Sequence, residues 1–558
     1  MIELRPLLAV LVPLIAVVPI LASRRRPNVR EAWTLGTAVT TFGVVASMVP
    51  GVLAGQIYVT SLGAVVPGVD FALRADALGV LFAALASLLW IATSLYSIGY
   101  MRGLDEHSQT RYFAAFAGSI AAAMGVAFAA NLLVLFVFYE LLTVATYPLV
   151  VHDETEEARA AGRKYLAYTF GGGVAVLAGT ILVSSLAGTV AFTPGGIDGL
   201  GGDPVLARAA FTLLAAGFGV KAALMPVHSW LPDAMVAPTP VSGLLHAVAV
   251  VKSGVFGISR VVLDVFGPET VRDLGMGLPL AAVAAITLVT ASVIALRQDN
   301  LKRRLAYSTI SQLSYIVLGL GVLGPAALAG GLLHIPAHAF MKLTLFFCAG
   351  AIHVETHTDD ISQMAGIGKR MPGTMAAFGV AALGMAGIPL LAGFVSKWYL
   401  MIGTLDAGHL VFTGALVLSG VLNVAYFWPI VYRAFFESAE SSDATPLLEH
   451  ALGGRFATDG GTTGTADGGH EHHDDGDDHD DHHVDGEDSD DHDADAHHGG
   501  PPAGGWQRYS PREETTWFML GPILAVAAGA VVLGIAPGHA VFLELVRAVV
   551  TAVTGGWL

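Results

Sequence analysis

The sequence predicts an all-α, polytopic membrane protein with about fourteen transmembrane helices. Three observations carry that reading. Of 558 residues, 54% are hydrophobic and 13% charged, with a mean hydropathy of +0.64, whereas soluble domains carry about 25% charged residues. Apolar blocks of about 18–25 residues, long enough to cross a hydrocarbon core as helix, recur from end to end. Positive charge concentrates in every second connecting loop.

In chain order the spans fall near 4–22, 32–53, 78–100, 112–130, 132–151, 164–187, 208–225, 243–264, 277–296, 305–323, 326–352, 374–402, 410–436 and 516–537. The first could pass for a signal peptide, but Arg24, Arg25 and Arg26 follow the apolar run instead of preceding it. A retained anchor is therefore expected. With the N-terminus outside, the inside loops hold Arg24–Arg26 and Arg30; Arg102 and Arg111; Arg159, Arg163 and Lys164; Arg297, Lys302, Arg303 and Arg304; Lys369 and Arg370; and Arg433. The outside segments hold only Arg5, Arg74, Arg208, Arg260, Arg272 and Arg547. One missed or extra span would destroy this alternation. The expected location is the cell membrane, crossed many times, with both termini outside.

The net charge of −16 belongs to one loop. Between Glu437 and Glu514 lie 22 acids and three arginines, which leaves the rest near +3. His470 to His498 reads HEHHDDGDDHDDHHVDGEDSDDHDADAHH, has no apolar periodicity and cannot bury a core. It is expected to be a disordered inside loop between spans 13 and 14, either simply solvated or sequestering metal through its histidines. Cys348 is alone in an apolar run, which excludes an internal disulfide, a Cys-ligated zinc site and an iron–sulfur cluster. GIGKR at Gly366–Arg370 lacks the phosphate-loop spacing, and no GxGxxG opens a helix after a strand. No basic surface suits nucleic acid. No cofactor, resident metal or nucleic-acid partner is expected.

Chemistry-bearing residues stand out against this apolar background. The chain has seven lysines; Lys164, Lys302 and Lys369 lie in inside loops or at helix ends, while Lys221, Lys252, Lys342 and Lys397 lie within apolar spans. Arginine supplies plain positive charge elsewhere and cannot release its proton in a protein; a desolvated lysine can. Snorkelling of the amines to the headgroups is the plain alternative. Four such sites together favour function, because intramembrane charge is costly. Glu140, in LLVLFVFYELLTVATYPLV, shares a helix face with Thr143 and Tyr147. It reads either as a protonated glutamate bonding between helices or as the partner of a buried lysine. His334, His338 and Lys342 fall at i, i+4 and i+8, so one face carries three titratable groups, a pattern suited to a proton relay. A two-His metal site there lacks further ligands. His246 and Lys252, six apart, point in different directions, and His246 also reads as a packing histidine.

Two of the lysines sit at breaks. Lys221 precedes Met225 and Pro226, with Pro232, Pro238 and Pro240 beyond; Lys397 follows Gly387, Ile388, Pro389 and Gly393. Interrupted backbone at membrane depth is tolerated only inside protein or beside water. Span 7 is fourth in spans 4–8, and span 12 is fourth in spans 9–13. Matching broken helices in two halves point to a transport site at a repeat interface, and an odd-numbered repeat inverts its copy. The expected organisation is helices 1–3 over 1–111, one five-helix repeat over 112–264, its inverted copy over 274–437, the acidic loop over 438–515 and helix 14 within 516–558.

The run KAALMPVHSWLPDAMVAPTPVSGLLHAVAVVKSGVFGISR resembles the antiporter-like membrane subunits shared by respiratory complex I and the Mrp-type multisubunit cation/proton antiporters. QDNLKRRLAYSTISQLSY, HIPAHAFMKLTLFFCAGAIH and GIPLLAGFVSKW are similar to three more of their blocks, and the likeness covers roughly residues 75–436. The resemblance implies fourteen helices with inverted five-helix repeats. It implies proton-path roles for Glu140, Lys221, Lys252, His334, His338, Lys342 and Lys397, with His246 as a further candidate, and protons and monovalent cations as cargo. It implies other membrane subunits of a hetero-oligomeric assembly as partners. GVFGISR and GIPLLAGFVSKW look most like the D subunit of Mrp-type sodium/proton antiporters. The M-type complex I subunit usually has glutamate where Lys397 stands, and the lateral C-terminal helix of the L-type has no counterpart after span 14. N-type and hydrogenase-linked relatives stay open. A transport subunit without redox centres of its own is expected, with a place in a quinone-reducing enzyme complex as the alternative. In mechanism, Glu140 is expected to pair with Lys221, whose proton passes through Lys252 and the His334–His338–Lys342 face to Lys397.

Because it contributes no apolar anchor, the acidic loop is predicted to be dispensable for transport. Deletion of His470 to His498 should leave assembly and vesicle ion transport unchanged, and loss of transport in a normally assembled deletion variant would contradict this.

Overall fold

Helices form where the apolar blocks lie, and polar residues at the block edges set their ends. The computed structural model describes residues 3–438, 499–502, 505–539 and 541–557; the segment 439–498, which holds the acidic His/Asp tract, lies outside the described residues. The first helices are α1 (Arg5–Ala22), α2 (Pro27–Ala46), α3 (Ala77–Gly103), α4 (Gln109–Phe128), α5 (Leu132–Val150), α6 (Glu156–Ala187) and α7 (Pro204–Lys221). Next come α8 (Thr239–Val265), α9 (Gly277–Leu296), α10 (Leu301–Val322) and α11 (Pro325–Thr356). The series closes with α12 (Pro372–Ala386), α13 (Ala392–Asp406), α14 (Leu410–Phe436), α15 (Trp517–Ile535) and α16 (Val541–Thr554). Asp76, Asn131, Thr155, Asp203 and Asn300 each accept a backbone N–H at the first turn of α3, α5, α6, α7 and α10. Each such cap contributes about 1 kcal/mol.

Among the described residues, thirteen helical stretches are long and apolar enough to cross a membrane. The span expected at 374–402 is absent from that set because it is two helices, α12 and α13, of 15 residues each. At about 1.5 Å per residue each reaches roughly 22 Å, short of the hydrocarbon core. Gly387 and Leu390 adopt positive φ of 91° and 72°, and Pro389 between them has no N–H to give. Similarly, α7 stops at Lys221, and turns and short helices separate it from α8.

Two elements were not legible as spans. Tyr58–Val66 (β1) and Val69–Ala75 (β2) form an antiparallel hairpin whose turn places Gly68 at φ 83° directly after Pro67. Pro then Gly is the residue pair that such a turn demands. After α15 comes the short α16, with Leu543, Leu545, Val546, Val549 and Val550 buried and Glu544 and Arg547 toward the surface.

The two most apolar helices are exposed and two less apolar ones are enclosed: over their apolar 18-residue stretches, α1 and α15, with mean hydropathies of 2.3, are 33% and 39% buried, whereas α10 and α11, at 1.4 and 1.5, are 94% and 100% buried. Lipid accepts only apolar side chains, so the polar residues collect on the helices that protein surrounds. Small residues let neighbouring helices such as α6 and α7 close in. A Cβ on Gly172 of α6 would lie 2.9 Å from the Gly217 carbonyl of α7, and a Cβ on Gly217 would lie 2.6 Å from the Gly172 carbonyl. The two backbones touch there, as glycine contacts in membranes allow.

Two charged clusters tie the bundle ends. Arg260, expected in an outside segment, is 1% exposed near the end of α8. Its guanidinium donates to both Asp76 oxygens at 2.8 Å and to Asp264 at 2.7 Å. Asp76 follows the hairpin, caps α3 and lies 3.4 Å from Arg74. On the other side of the bundle, Glu514 accepts from the Gly373 N–H at 2.7 Å and from the Thr374 N–H and hydroxyl at 2.8 Å. A carboxylate from 140 residues further on thus caps α12.

Arg260→Ala would strand two buried carboxylates, and breaking a buried ion pair costs about 3–5 kcal/mol. Purified Arg260→Ala protein should melt markedly earlier than wild type in detergent. The triple change Arg260→Met, Asp76→Asn and Asp264→Asn should recover much of that loss, and equal melting of Arg260→Ala and wild type would remove the cluster from the stability of the fold.

Candidate functional site

α8, α10 and α11 form the protein-enclosed centre of the bundle, and the expected residues lie on them or on helices packed against them. Lys221, His246, Lys252, His334, His338 and Lys342 are all 0% exposed, and Lys397 is 9% exposed. Glu140 is partly buried, and neither of its oxygens meets a hydrogen-bond partner.

Lys221 closes α7, where the helix end leaves its side chain facing α5. Its Nζ donates to the Tyr139 carbonyl and stands 3.4 Å from the centroid of the Tyr139 ring. Tyr139 in turn donates its hydroxyl to the Gly217 carbonyl at 3.1 Å. The expected Glu140–Lys221 pair is therefore not a direct ion pair: the ammonium is taken up by the residue preceding the glutamate, while the Glu140 carboxylate lies against Gly173 of α6. The two charges still act on each other through space. A Cβ at Gly173 would fall on the Glu140 carboxylate, so only glycine leaves that position to it.

The next lysine is in contact with a histidine. Lys252 Nζ is 2.8 Å from His338 Nδ1. With Lys252 charged, the ammonium donates, and His338 carries its own proton on Nε2. That Nε2 has no partner. His334, one turn earlier, is fully engaged: Nδ1 is 2.8 Å from Ser396 Oγ of α13 and Nε2 is 2.9 Å from Gln312 Oε1 of α10. Gln312 then donates to Asn423 of α14 at 3.3 Å, and Tyr426 also donates to Asn423. The two imidazoles are 6.1 Å apart between centroids and turned to different partners, so they do not converge on a common metal.

Lys342 shares the α11 face but addresses α10, donating to Ser308 Oγ at 2.5 Å and to the Leu305 carbonyl at 3.1 Å. Lys397, on α13 just after the break, donates to the Met385 carbonyl at 2.5 Å and stands 4.7 Å from the centroid of the Tyr315 ring. Lys221 and Lys397 thus have similar settings: each lies beside a helix discontinuity, donates to a backbone carbonyl and faces an aromatic ring. A cation–π contact in a desolvated site contributes about 2 kcal/mol. His246 lies in a π-turn of α8, packs on Phe346 at 4.9 Å, and neither ring nitrogen has a partner. Geometry brings Lys252, His338 and His334 together, sets Lys342 further along α11 facing α10, and leaves Lys221, Lys397 and Glu140 on flanking helices.

Sequence reading missed Tyr139, Ser308, Gln312, Tyr315, Ser396 and Asn423, which supply the other half of these contacts. A single serine or glutamine in an apolar span looks neutral. The available signal was Gln312 and Ser311 within STISQLSY, three polar types in a helix that is 94% buried.

The family described as "NADH:quinone oxidoreductase/Mrp antiporter, TM" matches residues 129–423. A protein named NADH-quinone oxidoreductase subunit N, from Desulforudis audaxviator, is 35% identical over 364 residues, 63% of this chain and 70% of the relative. The A/B component of a probable K(+)/H(+) antiporter of Rhizobium meliloti is 33% identical over 411 residues, 73% of this chain but only 40% of that longer protein. In fold, the chain superposes on one from the Mrp complex of Dietzia sp. DQ12-45-1b with a TM-score of 0.76 at 21% identity, over 99% of this chain and 98% of the other.

Proposed function

The chain belongs to the NADH:quinone oxidoreductase/Mrp antiporter transmembrane family, and from that premise we propose that it is the proton- and cation-translocating membrane subunit of a multisubunit monovalent cation (Na+)/H+ antiporter, of the D-subunit kind. The observation that carries this reading is the buried row of titratable groups Lys252, His338 and His334, with Lys221 and Lys397 beside helix breaks on flanking helices. Likeness to a chain of an Mrp complex over nearly the whole length supports it. The alternative is a proton-pumping membrane subunit of a complex I-type NADH-quinone oxidoreductase, which identity to subunit N favours. Co-purified partners separate the two: small antiporter subunits support the first, peripheral redox subunits the second.

In this reading the subunit sits in the cell membrane with both termini outside, among other membrane subunits. Glu140 acts on Lys221 through space, so a shift of either charge changes how readily Lys221 holds its proton. Lys252 and His338 share a hydrogen bond along which a proton passes in either direction. Internal water completes the bonding of His338 Nε2, His246 and Glu140, since buried polar groups without partners are unstable. Gln312 and Ser396 hold His334 in one orientation, and Lys397 terminates the path in the second half. The pairing of spans 4–8 with spans 9–13 as inverted repeats gives Lys221 and Lys397 equivalent roles.

Gly173→Ala places a methyl group where the Glu140 carboxylate lies, and that flexible side chain can swing aside without unfolding α6. The variant should assemble normally yet transport about tenfold more slowly, as a loss of roughly 1.4 kcal/mol in coupling would give, and Glu140→Gln should behave alike. Gly171→Ala, with nothing within 4 Å, is the silent control. Wild-type transport in Gly173→Ala would detach the carboxylate's position from function.

Lys221→Arg and Lys397→Arg preserve charge but not proton release, since the guanidinium pKa lies above ~12. Each should fold and assemble but lose most cation-coupled proton movement in everted vesicles read by a pH-sensitive dye. Lys→Ala variants control for the wider guanidinium. Near-normal antiport by both arginine variants would reduce these lysines to structural counter-ions.

A further inference from the structure

A second cluster of titratable groups lies away from the membrane core. Glu106 and His107 occupy the turn between α3 and α4, and His152 the turn between α5 and α6. One donor atom from each lies within 4.8 Å of the others. Glu106 Oε2 is 3.7 Å from both His107 Nδ1 and His152 Nε2. The imidazole rings are 4.8 Å apart, tilted by 31°.

Three features distinguish this cluster from an ordinary polar turn. His152 is 0% exposed, yet neither ring nitrogen has a hydrogen-bond partner. Burying such a group without a partner is costly, and a bound ion would remove that cost. The Tyr112 ring stands edge-on at 5.7 Å and sets the imidazole orientation. Second, His107 Nε2 donates to the His152 carbonyl at 3.0 Å, which leaves Nδ1 as the lone pair facing Glu106. A ligating histidine characteristically gives its other N–H to a backbone carbonyl. Third, His107 is 49% and Glu106 19% exposed, so an ion can reach the site from solvent.

We propose that Glu106, His107 and His152 form a binding site for a divalent transition-metal ion of the zinc class, with an open fourth position. Two imidazoles and one carboxylate are a zinc-type donor set, whereas magnesium and calcium need more oxygens. Ligands at about 2.0–2.1 Å in a tetrahedron lie about 3.4 Å apart, so the 3.7 Å separations close by a few tenths of an ångström. Rotation of the half-exposed His107 ring supplies the remaining adjustment. The charges facing the site are mixed. Asp153 and Lys302 act on Glu106, while Arg111 is held by Glu154 and by the His152 carbonyl, which accepts from it at 3.0 Å. A bound ion would fasten the α3–α4 turn to the end of α5, the helix that carries Glu140.

The test uses the full-length protein in nanodiscs, with the nine histidines between His470 and His498 changed to glutamine to remove competing ligands. After chelator treatment, Zn2+ is added and bound metal is counted per chain; Co2+ reports coordination through its visible spectrum. One tightly held equivalent with a tetrahedral Co2+ spectrum is expected, weakened at least tenfold in His152→Ala and Glu106→Gln. His107→Ala, at a half-exposed position, covers the case in which His152→Ala fails to fold, and should abolish the Zn2+-dependent rise in melting temperature. Absence of a stoichiometric ion in the parent, or unchanged affinity in folded His107→Ala, would overturn the proposal.

Discussion

The intolerance of hydrocarbon for unsatisfied charge governs this molecule. Lys221, Lys252, Lys342 and Lys397 lie deep in its spans with His246, His334 and His338, and lipid offers none of them a partner. The fold answers by enclosing the apolar stretches of α8, α10 and α11 almost wholly and by giving each ammonium a particular acceptor: Tyr139 carbonyl, His338, Ser308 or Met385 carbonyl. Two of those acceptors are backbone carbonyls: that of Met385 lies at the end of α12, and that of Tyr139 lies within α5 and is reached by Lys221 from the end of α7. The interruptions after Lys221 and before Lys397 are thus part of how the charges are housed.

Buried charge appears in two forms here, and the contrast is chemical. Around Arg260 the network is ionic: the guanidinium groups of Arg260 and Arg74 face Asp76 and Asp264, and Asp76 also caps α3, so the hairpin, α3 and α8 are bound together. Such a cluster has no proton to exchange and fixes geometry. Along the lysine–histidine row every member can gain or lose a proton, no carboxylate neutralises Lys252, Lys342 or Lys397 directly, and His338 Nε2 and both nitrogens of His246 remain without protein partners.

Between these extremes, Glu140 is held by shape. Its oxygens find no donor, and its place is kept by the missing side chain of Gly173. Gly172 beside it and Gly217 opposite bring α6 and α7 into backbone contact, so the packing that seats Lys221 also makes room for the glutamate. The carboxylate and the ammonium act on each other across a gap instead of locking as a pair, which leaves both responsive to their surroundings.

The sequence by itself determined the membrane class, nearly all the spans and the identity of the titratable residues, because apolar length and misplaced charge are local properties that no tertiary contact is needed to reveal. It also located the break at Gly387–Pro389, a matter of backbone chemistry. It could not show the hairpin as strands, since nine- and seven-residue elements leave too short a pattern beside twenty-residue spans. Nor could it pair residues far apart in the chain. Arg260 with Asp76 is separated by 184 residues, Glu514 with Thr374 by 140, and Lys252 with His338 by 86. His334, His338 and Lys342 were legible as one helix face, but their divergence toward α13, α8 and α10 was not. Which neighbour a buried charge meets depends on how helices cross in three dimensions, and only the tertiary structure decided that.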